Sequence, residues 1–291
     1  MFRVLDLFSG IGGFSLGLER AGGFKTVAFC EIEPFCQKVL KKHWPEVPIY
    51  TDVTKMEFCE GMADVITGGF PCQDISYAGK GAGLAGERSG LFRELLRAVR
   101  MVRPRHVIVE NVAALLDRGM GVVLGEMACL GHDAEWDCIS AADVGAPHGR
   151  ERVWITTTDA NGQQQTGGGS ESIRRRKWCA EETAQAASDA NSLRQLQPGR
   201  IIAHVRRWIA DGFARTVWAG DWQAKFEALC RMDDGLPTRL DRSRDEAAVK
   251  SLGNAVIPQI PELIGRAIMQ AEGMTPAPQS VPSISHHQER A

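Results

Sequence analysis

A chain of 291 residues and 31.8 kDa is long enough for one large domain or two unequal ones. Its 44% hydrophobic and 24% charged residues are ordinary for a soluble globular protein, which excludes wholesale disorder, collagen-like and low-complexity architectures. The net charge of −2 carries no polybasic signature of a nucleic-acid or membrane protein, and no stretch approaches the ~20 apolar residues of a spanning helix.

The opening MFRVLDLFSG reads as a strand rather than a signal peptide, so a cytoplasmic location is expected. Along residues 2–158, short β-branched or apolar runs alternate with helical patterns, the signature of βα units and a mostly parallel sheet. Strands are predicted at 3–8, 26–31, 64–68, 106–110, 135–140 and 152–158. Helices at 14–21, 35–43, 91–102 and 122–130 place apolar residues at three- and four-residue spacing. After residue 158 the polar, glycine-rich 162–170 breaks the alternation and opens a smaller region. A last helix is expected at 261–271, with Pro261 at its first position, followed by a disordered tail from 273.

Charge divides unevenly along this plan. The balance is −4 over residues 1–159, +3 over 160–230 and −1 over 231–291. In the basic stretch, Arg174-Arg175-Arg176-Lys177-Trp178 and Arg206-Arg207-Trp208 set cations beside aromatic rings, a combination that suits phosphate contact and base stacking. A solvated basic turn and an exposed helix face are the alternative. Eight cysteines lie scattered without a CxxC pair, so zinc and disulfide frameworks are not expected, and most are read as small buried apolar residues.

The first strand ends in Asp6-Leu7-Phe8-Ser9-Gly10-Ile11-Gly12-Gly13. Glycines between a strand and a helix admit a ligand against the backbone, beside the free N–H groups of the helix start. Glu31, at the end of the second strand, stands where an acidic side chain can accept from both hydroxyls of a ribose. The G-x-G-x-x-G spacing of a nicotinamide enzyme is missing. Asp52 either meets the adenine amino group of a nucleoside or caps the next turn. The strand at 64–68 runs into Gly68-Gly69-Phe70-Pro71-Cys72, a turn that holds a thiol exposed as a nucleophile requires. The glycine-rich 79–86 beyond it is flexible enough to close over a substrate, or is a plain linker. Glu110-Asn111-Val112 ends the next strand, and Pro147-His148-Gly149-Arg150-Glu151-Arg152 leads into the one at 152–158. A glutamate just beyond an apolar strand needs a partner, and either arginine can supply it.

DLFSGIGGFSLGLERAG, CEIEP, GGFPCQDIS, ENV, PHGRER and SLGNAVIPQI occur in the order found in the DNA (cytosine-5) methyltransferase family, which the chain resembles over most of 1–158 and 251–270. Two places depart from the pattern: His148 stands where the arginine motif opens with Gln, and RMDDGLPTRL (231–240) only loosely resembles the segment before the last motif. The resemblance implies an α/β, Rossmann-like S-adenosylmethionine-dependent methyltransferase domain with a small inserted target-recognition domain. It divides the chain into catalytic 1–158, target-reading 159–230, a returning segment 231–272 and the tail 273–291. It implies a thiolate at Cys72 that adds to cytosine C6, Glu110 at N3, Arg152 at O2 and Arg150 near the phosphate and the thiolate. For S-adenosylmethionine it implies Phe8 and Ile32 about the adenine, Glu31 on the ribose and Asp52 with Val53 at the adenine edge. Gly10, Ile11, Gly12, Gly13, Leu91, Asn254 and Ala255 line the rest. The partner implied is double-stranded DNA with the cytosine flipped out, bound by a monomer with affinity that falls with salt; a tRNA cytosine-5 methyltransferase is the alternative.

Overall fold

The computed structural model describes residues 1–70, 90–146, 148–160, 200–212, 251 and 253–275. Its frame is a seven-stranded sheet built from β1 (Phe2–Leu7), β2 (Phe24–Cys30), β3 (Ile49–Tyr50), β4 (Val65–Gly68), β5 (His106–Val112), β6 (His132–Ser140) and β7 (Glu151–Asp159). The strand order is β3-β2-β1-β4-β5-β7-β6. The first five run parallel, and β7 pairs antiparallel with both β5 and β6. Central strands such as β1 (FRVLDL) and β4 (VITG) are buried on both faces, which is why their sequences are near-continuous apolar runs rather than alternations.

The helices are α1 (Gly13–Ala21), α2 (Pro34–His43), α3 (Gly90–Val102), α4 (Leu115–Arg118), α5 (Met120–Cys129), α6 (Arg200–Ala210) and α7 (Gln259–Ala271). One face of the sheet is covered by α3, α4 and α5 through Leu95, Val99, Leu115 and Val123. The other is covered by α1, α6 and α7, where Phe14 and Trp154 meet edge to face with centroids 5.7 Å apart. At Gly17 of α1 an added Cβ would fall on the Pro258 carbonyl oxygen and 2.8 Å from the Pro261 Cβ, so the bare glycine lets the two helices touch backbone to backbone.

Three expectations are corrected. The last helix starts at Gln259, so Pro261 is its third residue. That position is tolerated because the N–H groups of a first turn have no intrahelical partner to lose. The second correction concerns the region expected as a separate target-reading unit over 159–230, which contains α6. Ile201 and Val205 of that helix lie in the core with α7, and its Ile202 N–H donates to Glu135 Oε2 at 2.9 Å, so residues 200–210 are part of the sheet's covering layer. In the same helix Arg206 pairs with Asp137 and donates to the Cys138 carbonyl at 3.0 Å, while the Trp208 ring packs against the core; neither side chain is arrayed for phosphate and base. Third, of the cysteines read as buried, Cys30 and Cys36 are so, whereas Cys59 and Cys129 are exposed. The basic run at 174–178 and the tail from 276 lie outside the described residues.

Candidate active site

The topology brings the chemistry-bearing segments to one edge. Five parallel strands end together, and because β7 runs the other way its first residues lie at that same end, with Val112 of β5 opposite Arg152 of β7. The chain turns back between β1 and β4, which leaves a crevice at their carboxyl ends.

On one side of the crevice is the loop from Phe8 to Gly12. Phe8 holds a left-handed φ of 54°, strain that is uncommon outside functional sites for a bulky residue. Ser9 Oγ donates to the Asp6 carbonyl at 2.6 Å and fixes the turn. Gly12 has φ 88°, and an added Cβ would stand 2.7 Å from the Trp44 ring, so only glycine fits there. Glu31 is buried, and each carboxylate oxygen accepts one backbone N–H: Gly10 at 2.7 Å and Glu33 at 2.8 Å. Each oxygen keeps lone-pair capacity, so the same carboxylate can order the glycine loop and still accept from ribose hydroxyls. Ile32 is 71% exposed, an apolar side chain free to cover a flat ring, and nothing lies within 4 Å of a Cβ built on Gly10. These features fit a nucleoside. Ile11 and Leu91 are half-buried at the edges of the same crevice's loop and of α3.

Asp52 serves first as a cap, its Oδ1 accepting the Thr54 N–H at 2.9 Å and the Thr54 hydroxyl at 2.6 Å. Those bonds, with Lys55, hold its carboxyl below the usual range. Val53 beside it is buried in the core. Asn254 and Ala255 are brought in by their neighbours: the Arg150 guanidinium donates to the Gly253 carbonyl, and Val256 packs on Gly13 at the start of α1.

On the other side stands Glu110, paired with Arg152 at 3.0 Å. Burial pushes the Glu110 carboxyl up, against the opposing pull of Arg152 and Arg150. The Gly69-Phe70 segment passes directly over it. A Cβ on Gly69 would stand 3.2 Å from Glu110 Oε2, and Asn111 Nδ2 donates to the Phe70 carbonyl at 3.1 Å. Pro71, Cys72 and the glycine-rich 79–86 lie outside the described residues; His148 is exposed.

Several residues that shape the site went unassigned in the sequence. Asp6 is fully buried and accepts from the hydroxyls of Ser15 and Thr67, both at 2.7 Å, linking β1, β4 and the first turn of α1 beneath the glycine loop. Burial pushes its carboxyl up to about 7. The signal was a carboxylate inside an apolar strand, FRVLDL. Trp44 donates its indole N–H to Glu19 Oε2 at 2.9 Å and backs Gly12, and Asn111 ties down Phe70. For Trp44 only its bulk after a helix end marked it.

The profile of the C-5 cytosine-specific DNA methylase family matches residues 2–204. The chain is 33% identical over 171 residues to the Type II methyltransferase M.NlaIV of Neisseria lactamica, covering 53% of this chain and 40% of the relative. It is 36% identical over 159 residues to M2.BsuMI of Bacillus subtilis, 52% and 40% of the two chains, and 42% identical over 127 residues to M.Eco47II of Escherichia coli, 43% and 30%. Its matched part thus spans at most 40% of the length of these three relatives. With the profile covering more than half of the sequence, the chain belongs to the C-5 cytosine-specific DNA methylase family.

Proposed function

We propose that this chain transfers a methyl group from S-adenosylmethionine to C5 of a flipped-out cytosine in duplex DNA, acting as a monomer through a covalent adduct at Cys72. The observation that carries the reading is the Glu110–Arg152 pair, held under the Gly69-Phe70 segment that runs into Pro71-Cys72. S-adenosylmethionine, when bound, supplies an electrophilic methyl group on a sulfonium. Phe8, Ile32, Glu31, Asp52, Val53, Leu91, Asn254 and Ala255 would hold it around the loop Gly10-Ile11-Gly12-Gly13.

Cytosine C5 is a weak nucleophile, and the chain's own groups activate it. The Cys72 thiolate adds to C6, forming an S–C bond and moving the ring's electron pair toward C5 and N3. A protonated Glu110 donates to N3 as charge grows there, and Arg152 stabilises O2 while orienting Glu110. Burial that raises the Glu110 carboxyl favours that protonated form. Arg150 is assigned in this reading to the phosphate and the thiolate, where its charge would lower the cysteine pKa. Once C5 carries the methyl group, its proton is lost to solvent and the returning pair expels the Cys72 thiolate.

C6 is hidden inside a duplex, so the base must leave the stack at a cost of roughly a few kcal/mol. In this reading 1–158 with α6 and the segment from 251 to 272 form the catalytic body. Target reading falls to the rest of 159–230, including the basic run at 174–178. Incubation with methyl-labelled S-adenosylmethionine and either duplex DNA or tRNA tests the reading. Label at C5 of cytosine in duplex DNA is expected. Label in tRNA alone would give the substrate to the RNA alternative, and label in neither would refute the activity.

A further inference from the structure

Arg97, on the face of α3 turned toward the 52–58 turn, spends both terminal nitrogens of its guanidinium on that one segment. Its Nη2 donates to the Val53 carbonyl at 2.6 Å and its Nη1 to the Met56 carbonyl at 3.0 Å. Its Nε donates to Glu94 Oε2 at 2.6 Å, one turn back on α3, which fixes the plane of the fork. Its flat face lies over the Phe58 ring, 4.6 Å from the centroid. Residues 51–64 carry no helix or strand of their own. The backbone path of Asp52 and Val53 is therefore set by their local turn, with Met56 N–H on the Val53 carbonyl at 3.3 Å, by the packing of Val53, Met56 and Phe58 in the core, and by this side chain, which binds two of the segment's carbonyls from α3.

We propose that Arg97 is the positioning residue that sets adenine recognition, by clamping the Asp52-Val53 turn at the height where its carboxylate and backbone meet the adenine edge. The proposal rests on the cofactor reading above. Lysine cannot substitute. A planar fork can serve two carbonyls and a carboxylate while stacking on a ring, whereas an ammonium is a point donor on a flexible stem. Among the proposed cofactor contacts, the segment clamped is the one at the edge of the base; Phe8 and Ile32 cover its faces without distinguishing an amino from an oxo group, and the ribose and amino-acid contacts come from Glu31 and the glycine loop, which Arg97 does not touch.

The test is calorimetric titration of the full chain with S-adenosylhomocysteine and with S-inosylhomocysteine, which carries an oxo group in place of the adenine amino group. The unaltered chain is expected to prefer the adenine compound by about 10-fold or more, since a site built to accept from an amino group rejects the analogue without it. Arg97→Met and Arg97→Lys should each bring that ratio close to one while leaving affinity for the inosine compound within about 3-fold. Loss of packing alone would weaken both ligands together and leave the ratio intact. A ratio unchanged in the lysine variant, which keeps the stem and charge and therefore the fold, would overturn the proposal. Failure of the unaltered chain to bind either compound would overturn the cofactor reading and this inference with it.

Discussion

Asp6→Asn is the perturbation with the clearest physical consequence. Asp6 is wholly removed from solvent, and burial raises its carboxyl from an ordinary 3.8 to about 7, in spite of the hydroxyls of Ser15 and Thr67 that favour the charged form. A folded-state pKa above the unfolded one means that the stabilising contribution is full below about 3.8 and is lost as pH rises through about 7. Three units at ~1.4 kcal/mol each set the whole loss at about 4 kcal/mol, of which roughly 2–3 kcal/mol falls between pH 5 and 8. His132 works the other way. Burial lowers its pKa, so its contribution to stability rises with pH up to about 6.5 and is level above that, which flattens the curve of the unaltered protein on the acid side. The difference between Asp6→Asn and the unaltered chain removes that contribution, because both carry His132. Asparagine is isosteric with the protonated carboxyl and can accept from one hydroxyl and donate to the other, so the two proteins should be nearly equal below about pH 3.8, with the variant ahead by roughly 1–2 kcal/mol at pH 5. Urea unfolding followed by far-UV circular dichroism at pH 5, 6, 7 and 8 should show the variant gaining roughly a further 2–3 kcal/mol on the unaltered chain between pH 5 and pH 8. A difference that stays constant across this range would refute the argument that an ionisable carboxyl is buried beneath the glycine loop.

Removing one member of the Glu110–Arg152 pair should act differently from softening it. Arg152→Ala leaves a buried carboxyl without its cation and should cost about 3 kcal/mol or more at pH 8, read by the same denaturation. Glu110→Gln should leave stability within about 1 kcal/mol yet lower methyl incorporation by about 100-fold or more, since the amide cannot shift a proton toward N3. Gly17→Ala forces α1 away from Pro258 and Pro261, and its unfolding midpoint should fall by an amount equivalent to about 1–3 kcal/mol.

The βα alternation, and with it six of the seven strands, was legible because parallel strands buried on both faces write themselves as apolar runs; β3, only Ile49–Tyr50, is too short to leave a pattern. The direction of β7 was not legible. An antiparallel partner has the same composition as a parallel one, yet that reversal is what sets Arg152 beside Glu110. The placement of α6 escaped for a related reason. Arg206-Arg207-Trp208 looks like a nucleic-acid motif until Asp137, 69 residues earlier, is known to hold the first arginine. Arg97 gave no signal because its acceptors are backbone carbonyls 41 and 44 residues away, and carbonyls have no letter in a sequence. Pro261 misled because proline suits any position of a first turn, not its first residue alone.

The claim on which the account turns is the covalent role of Cys72, and duplex DNA containing 5-fluorocytosine tests it most directly, because fluorine cannot leave C5 as a proton does. With S-adenosylmethionine present, the unaltered chain should form a complex with the DNA that survives denaturing electrophoresis, and Cys72→Ala should form none. A chain that methylates ordinary cytosine without trapping the fluorinated base, or a complex that persists in Cys72→Ala, would contradict it.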